Sequence, residues 1–336
     1  MDILIKSFNR PYYLDRCLAS IVKFVITDYR IVILDDGTPA EYLEKLQLKY
    51  PNITIQKSGL YSEKEDFVTN KNKFFNTKVP IDLWFTAAQN ASEYFVLIED
   101  DFWFISEIDL TILEQELQTE KIQMLKLFWL GNPKLINENN LKNLDHINVF
   151  KPNLYVNNPI LYTLIFRWYR FKIRKIATFF KIYSKNRALN YYTIYATSGS
   201  IFNKKYFLSL WNSHNNSVDE GLQLYNAVKF VHINKDANFA YTKTEILKTG
   251  FLSSATNEHK KYKEVNIDMF TFNKIMNKAW LENRFDPMDN FPNDLDIKSI
   301  EHILDLENSD FAQKNEWQKW VFEFKKQFQS FGCKTD

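Results

Sequence analysis

Cysteine is almost missing from this chain. Two in 336 residues, Cys17 and Cys333, are too few and too far apart for a disulfide framework or a thiolate zinc site, which fits a reducing compartment. Glycine is scarce as well, at seven, so each one plausibly marks a backbone need, as at Gly37 after two aspartates and Gly199 between two serines. Charge of one sign is not in excess: 43 Lys and Arg against 41 Asp and Glu leave a net +2, and no global field favours nucleic acid. No apolar run approaches the roughly 18 residues of a membrane span. The opening MDILIKSFNRP, interrupted by Lys6, reads as neither signal peptide nor anchor. Internal repeats and low-complexity segments are absent too. The expectation is a soluble, intracellular protein. What the chain has in quantity is aromatic side chain, with 29 Phe, 18 Tyr and 8 Trp. Its length suffices for one large core or two smaller ones.

The first hundred residues alternate in period. Ile3-Leu4-Ile5 reads as a buried strand broken at Asn9-Arg10-Pro11, and Leu14, Leu18, Ile21 and Val22 then share one helical face. Ile31 to Leu34 is a second strand that runs into Asp35-Asp36-Gly37-Thr38. A helix over Pro39 to Tyr50 follows, with Thr38 as its cap and Pro39 in its first position. Ile53 to Ile55 is a short strand, Ile81 to Ala91 a helix, and Tyr94 to Ile98 a strand that ends in Glu99-Asp100-Asp101. Such alternation implies a parallel sheet with right-handed crossovers. Further on, the pattern predicts helices at Leu110 to Thr119 and Val218 to Phe230, and strands at Met124 to Leu130 and Ala196 to Phe202. After about residue 256 the character becomes helical, ending in an apolar stripe between Asn308 and Phe331.

Three consecutive carboxylates repel one another, and an apolar strand that delivers them suggests oxygen ligands for a cation. A hard divalent ion such as Mn²⁺ or Mg²⁺ takes carboxylate and phosphate oxygens, which makes a nucleoside diphosphate its natural companion. In a doubly wound sheet Asp35-Asp36 and Glu99-Asp100-Asp101 reach the same edge and converge on one ligand.

The order strand, Asn-Arg-Pro, helix, strand, Asp-Asp-Gly, helix, then strand and acidic triplet resembles the nucleotide-diphospho-sugar glycosyltransferases of the GT-A fold, above all the inverting family-2-like enzymes. The Glu-Asp-Asp form of the triplet also resembles that of the N-acetylglucosaminyltransferase I group. The resemblance covers residues 1–105, is patchy to about 255 and stops there. It implies an α/β, Rossmann-like, mostly parallel sheet flanked by helices, with a C-terminal helical extension. The divisions are 1–105 for nucleotide-sugar binding, 106–255 for the acceptor and 256–336 for the extension.

Carried over by position, the resemblance gives Ser7, Phe8, Asn9 and Arg10 to the base and ribose, and makes Asp36, with Asp35 beside it, an acceptor for a nucleobase N–H. Asp100 would contact the donor and Asp101 would be the metal ligand. Glu99 keeps an open role. The catalytic base is Asp219 or Glu220, in Val218-Asp219-Glu220-Gly221-Leu222. Spacing to Leu222 and Leu224 favours Asp219, and its rank as second acid of the pair favours Glu220. Each also suits a helix N-terminus for electrostatic reasons. His259 would close the metal site from the C-terminal side. Such an enzyme would use Mn²⁺ or Mg²⁺ and a UDP-sugar as donor, with a glycan or lipid-linked acceptor, in the assembly of a bacterial surface polysaccharide or lipopolysaccharide. The Lys, Asn, Ile and Phe usage is that of an AT-rich bacterial genome.

Residues 166–187, FRWYRFKIRKIATFFKIYSKNR, carry eight Lys or Arg and no acid. The stretch suits anionic lipid headgroups at the inner face of the plasma membrane or the diphosphate of a lipid-linked acceptor. It also suits a helix that buries its aromatics and solvates its charges. A nucleic-acid strip would look the same, but nucleic acid is not expected as a partner. Two other functions compete. A sugar nucleotidyltransferase needs a glycine-rich loop after the first strand, where this chain has Ser7-Phe8-Asn9-Arg10-Pro11. A non-catalytic glycan-binding or scaffold relative has no evident use for Asp36, Asp100, Asp101 and Asp219.

Overall fold

The computed structural model describes residues 1–70, 75–137, 142–167, 178, 183–211, 218–257 and 262–335. Its centre is a nine-stranded sheet built from β1 (Asp2–Ser7), β2 (Arg30–Asp35), β3 (Ile53–Lys57), β4 (Tyr94–Glu99), β6 (Ile122–Lys126), β7 (Lys142–Asn143), β8 (Ile147–Phe150), β9 (Ser200–Asn203) and β10 (Asn238–Thr242). The spatial order is β3-β2-β1-β4-β9-β6-β10-β8-β7. Seven of these strands run one way, and only β9 and β8 oppose them. This is the mostly parallel, helix-flanked α/β architecture that the sequence implies.

The chain leaves β1 towards β2 and β3, then returns to lay β4 on the other side of β1. Strand order therefore reverses between β1 and β4, and a crevice opens outside the carboxyl ends of those two strands. Both strands are apolar on both faces: all six residues of β1 are buried, as are the first five of β4. Apart from Asp2 at the start of β1, charged residues appear only towards the carboxyl ends, at Lys6 and Glu99.

Helix α1 (Pro11–Phe24) starts at a proline that needs no N–H partner. Helices α2 (Ala40–Lys49), α3 (Tyr61–Asn70), α4 (Ile81–Asn90) and α5 (Leu110–Thr119) follow the strand–helix alternation. The second helix begins one residue later than the sequence suggests. Pro39 is its cap residue, because the Thr38 hydroxyl is occupied by Asp35 and by the N–H of Asn9. Helix α3 was not anticipated. The acidic triplet continues directly into β5 (Phe102–Phe104), which pairs antiparallel with β11 (Leu247–Thr249). Just past β11, the Gly250 N–H donates to the Asp101 carbonyl at 2.9 Å.

Two hydrophobic clusters cover the two faces of the sheet. One takes in α1 and the C-terminal helices Met269–Leu281, Ile297–Glu307 and Lys314–Gln329. The last of these starts at Lys314, not Asn308. Asn308 is left-handed, at φ 41°, and ends the preceding helix. Trp317 in that last helix stacks on Phe272 and donates its indole N–H to the Leu252 carbonyl at 2.9 Å.

Candidate functional site

The crevice at the β1–β4 switch point is where the sheet gathers its charge. Arg10, at the foot of α1, donates one guanidinium nitrogen to Asp101 Oδ2 at 2.9 Å and the other to Asp100 Oδ1. The Phe8 N–H donates to Asp100 Oδ2 at 3.2 Å, and the Asp100 N–H to the Lys6 carbonyl at 2.9 Å. The loop after β1 and the triplet after β4 are thereby tied into one unit. Burial works against the Arg10 charge, but Asp100 and Asp101 outweigh it and hold the guanidinium above its ordinary pKa. Burial raises both carboxylates, and mutual repulsion adds to this at Asp100, which stands at about 7 despite Arg10. Asp101 Oδ1 is buried with no hydrogen-bond partner among the described residues.

Glu99 has a different neighbour. It pairs with Lys6 Nζ at 2.7 Å, and Lys6 also donates to the Thr197 carbonyl at 3.1 Å and lies over the Trp84 ring. Burial disfavours the Glu99 charge, yet Lys6 keeps its pKa below the usual value. The lysine that interrupts the apolar first strand is thus the counter-ion of the triplet's first member.

Beyond Lys6 the crevice opens into a cavity of about 260 Å³ lined by Phe8, Phe75, Trp84, Asp36, Lys64 and Asp100 among others. Phe8 and Phe75 stack with ring centroids 5.8 Å apart. Asp36 accepts from the Ser58 hydroxyl at 2.6 Å and from Lys64 Nζ, which also donates to the Lys78 carbonyl. Burial raises the Asp36 pKa against Lys64 and Ser58. Lys64 comes this close because residue 37 is glycine: a Cβ there would stand 2.6 Å from Lys64 Cβ, and its φ is +132°.

The expected site residues therefore divide. Ser7, Phe8, Arg10, Asp36 and Asp100 line the cavity, and Asp101 lies beside Arg10 at its edge. Asp35 and Asn9 do not line it. The Asp35 carboxylate turns inward to accept from the Gly37 and Thr38 N–H groups and the Thr38 hydroxyl, and burial raises its pKa to about 6 against those bonds. Asn9 is fully buried at φ 54°, with its N–H on Thr38 and its oxygens accepting from Asn277. Both shape the loops that carry Arg10 and Asp36. Lys64, Phe75 and Trp84 were missed. Lys64 lies in an unremarkable polar helix, so Gly37 opposite it was the only hint.

The second half of the chain brings its own acids. Asp219 caps the helix Glu220–Ile233 through the Leu222 N–H at 2.9 Å, and its other oxygen accepts from Arg167 at 3.2 Å. Glu220 Oε2 accepts from the Tyr192 hydroxyl at 2.9 Å. Its charge and that of Glu99 both act on the buried Tyr195 hydroxyl, whose pKa is pushed up first by burial. Glu220 and Glu99 thus both lie within electrostatic range of Tyr195. His259 and most of residues 166–187 lie outside the described residues.

Among the described residues, no three His, Cys, Asp or Glu side chains are grouped as a metal cage. The orphaned, buried Oδ1 of Asp101 nevertheless suits a hard cation whose other ligands come from a diphosphate and water. No helix among them is long and apolar enough to cross a membrane.

No protein-family model and no curated protein sequence matches the chain. Among solved structures, S. aureus TarS 1–349 in complex with UDP-GlcNAc is 11% identical, covering 99% of this chain and 73% of that one, with a TM-score of 0.42. Glucosyl-3-phosphoglycerate synthase from Mycobacterium tuberculosis with phosphoglyceric acid is 11% identical over 83% of this chain and 78% of that one, with a TM-score of 0.37. Likenesses this weak carry no weight for function.

Proposed function

We propose that this protein is a metal-dependent glycosyltransferase that moves a hexosyl or N-acetylhexosaminyl group from a nucleoside-diphosphate sugar, a UDP-sugar first of all, to a glycan hydroxyl with inversion. The observation that carries the reading is the joining of three chemistries at one switch point. An aromatic slot with a carboxylate at its wall suits a nucleobase. A buried carboxylate oxygen without a partner suits a cation. A further carboxylate, Glu220, whose charge acts with that of Glu99 on Tyr195, suits a base.

In this reading Phe8 and Phe75 hold the base by stacking, and Asp36 accepts its N–H. Asp101 holds Mn²⁺ or Mg²⁺, which when bound supplies Lewis-acid charge to the leaving diphosphate. Arg10 fixes the two aspartates in place, so Asp100 meets the donor already oriented. Lys6 keeps Glu99 ionised beside the sugar. Glu220 takes the proton of the acceptor hydroxyl, because its Oε1 has no partner among the described residues whereas both Asp219 oxygens are engaged. The exposed Ile160 and Leu161, next in sequence to the basic aromatic stretch 166–187, support contact with a lipid-anchored acceptor at the cytoplasmic membrane face.

The test is calorimetry with UDP and Mn²⁺, followed by a panel of UDP-sugars. Wild type binds UDP more tightly with Mn²⁺ than without it and releases UDP from at least one sugar nucleotide. Asp101→Asn keeps its circular dichroism spectrum but loses the metal dependence. An Asp101→Asn protein with full Mn²⁺-stimulated turnover overturns the metal assignment. A wild type that binds no nucleoside diphosphate overturns the function.

A further inference from the structure

Lys126 closes β6 at the carboxyl-end edge of the sheet, and nothing in the reaction described above uses it. It is 5% exposed. Among the described residues its amine has no hydrogen-bond or ion-pair partner. Among the described residues the charge that acts on it is Glu245, a carboxylate already bound by the Trp129 and Gly131 N–H groups. A buried ammonium without a counter-ion is costly, and cores normally supply a carboxylate or do without the lysine.

Its neighbours follow from the strand register. Lys126 lies opposite Ser200 on antiparallel β9 and opposite Tyr241 on parallel β10. Ser200 in turn lies opposite Leu97 on β4. Residues directly opposite share a face of the sheet, and residues two apart on a strand share it as well. Lys126, Ser200, Leu97 and Glu99 are therefore on one face, with Lys6 opposite Glu99. That places Lys126 two strands from the acidic triplet, on the side of the cleft away from the nucleotide cavity. Ser200 brings a second orphan: its hydroxyl is buried with no partner among the described residues. A largely buried cation and a buried hydroxyl donor on one face of neighbouring strands, neither with a partner among the described residues, are the donor half of an anion site.

We propose that Lys126 and Ser200 bind an anionic oxygen, a phosphate or carboxylate group of the acceptor, in the second half of the cleft. Assigning the anion to the acceptor rests on the glycosyl-transfer reading, whereas the anion site does not. Without the anion, burial holds the Lys126 amine down at about 7, so part of the population is neutral at neutral pH. A bound anion restores the charge, and binding takes up a proton.

Trace acetylation of the native wild-type protein across the pH range, with each lysine read by mass spectrometry, tests this directly. Inorganic phosphate and acetate serve as separate probes. Lys126 is expected to react with a midpoint near 7, and saturating probe anion should slow its reaction at neutral pH by roughly fivefold, equivalent to an upward shift of about one pKa unit. The exposed Lys205 serves as the control and does not respond. Protection by phosphate alone assigns a phosphoryl acceptor, and protection by acetate alone assigns a carboxylate. Ser200→Ala should weaken the protection severalfold and leave the anion-free midpoint in place. Lys126 acetylation that ignores both anions overturns the proposal, as does a Lys126 that stays unreactive throughout. Calorimetry with UDP on the same wild-type sample keeps the two readings apart. Loss of UDP binding with intact anion protection refutes glycosyl transfer and leaves the anion site standing.

Discussion

Replacing Asp36 by Leu removes the cavity-wall carboxylate and strands Lys64. Both side chains are buried, at 8% and 3% exposure, and they meet in a direct ion pair. Breaking a buried pair from one side costs about 3–5 kcal/mol, because the remaining charge is left without compensation. The Lys78 carbonyl still accepts from Lys64 and puts the expected loss at the lower end, about 3 kcal/mol. Adding Lys64→Met converts the pair into two apolar side chains of similar length, and such replacements are close to neutral. The double variant should thus regain most of the lost stability. Nucleotide binding should not return with it. A hydrogen bond from a base N–H to a carboxylate contributes about 1.5–3 kcal/mol, so UDP affinity in the double variant should fall roughly 10- to 150-fold. Urea unfolding followed by tryptophan fluorescence measures the first quantity, and calorimetry the second. Wild-type UDP affinity in the refolded double variant would refute Asp36 as a base contact. Unchanged stability of the single variant would refute the view that Lys64 depends on it.

The other expectations are briefer. Gly250→Ala places a Cβ 2.4 Å from the Tyr13 hydroxyl oxygen, so differential scanning calorimetry should show a lower Tm, equivalent to about 1–3 kcal/mol. Asp35 is fully buried and its pKa is raised from 3.8 to about 6, so the folded state holds a proton that the unfolded state has lost. That stabilisation is complete below pH ~4 and disappears as pH rises through ~6, at about 3 kcal/mol in total; Asp35→Asn should flatten this slope in urea titrations. Glu220→Gln should lower kcat by roughly 100-fold or more with little change in donor KM, whereas Asp219→Asn should cost at most about 1 kcal/mol of helix capping. The reverse ranking of kcat would move the base to Asp219.

How far the sequence reaches is set by which signals are local. The β1 to β4 alternation was legible because strands buried on both faces are continuous apolar runs and the intervening helices carry period-3.6 stripes. Arg10, Asp36 and the triplet were legible because polar residues after such strands stand out. Helix α3 was not. Its amphipathic signal is weak in YSEKEDFVTN, and only Tyr61, Lys64 and Val68 are buried. The charge that matters there looks like any surface lysine. Asp35 misled for a related reason: paired aspartates at a strand end look equivalent in sequence, while the turn that follows uses one inward as a staple and leaves the other for the cavity. Asn9 was grouped with Ser7, Phe8 and Arg10 by adjacency, but its left-handed backbone turns it away from its neighbours. The ribbon of β5 and β11 joins residues about 145 apart in sequence, a pairing that no local pattern encodes.

The crevice also depends on residues that a motif-based reading leaves at the far end of the chain. Helix α1 is polar where a helix sunk this deeply should be apolar, and Tyr12, Tyr13, Asp15 and Arg16 each find a partner in the C-terminal part. The Trp280 indole donates to Asp15 at 2.9 Å. Arg16 donates to the Pro287 and Asn293 carbonyls. Tyr12 and Tyr13 donate to Asn273 and Asp294, each at 2.8 Å. Asp294 then accepts from the Phe251 N–H at 2.7 Å, one residue after the glycine that holds the Asp101 backbone. Buried polar groups that find partners rigidify the elements they join. Arg10 stands at the head of this helix, and its place between Asp100 and Asp101 is fixed by the seating of α1. The C-terminal helices are therefore part of the support of the acidic triplet, and the triplet's geometry belongs to the whole chain.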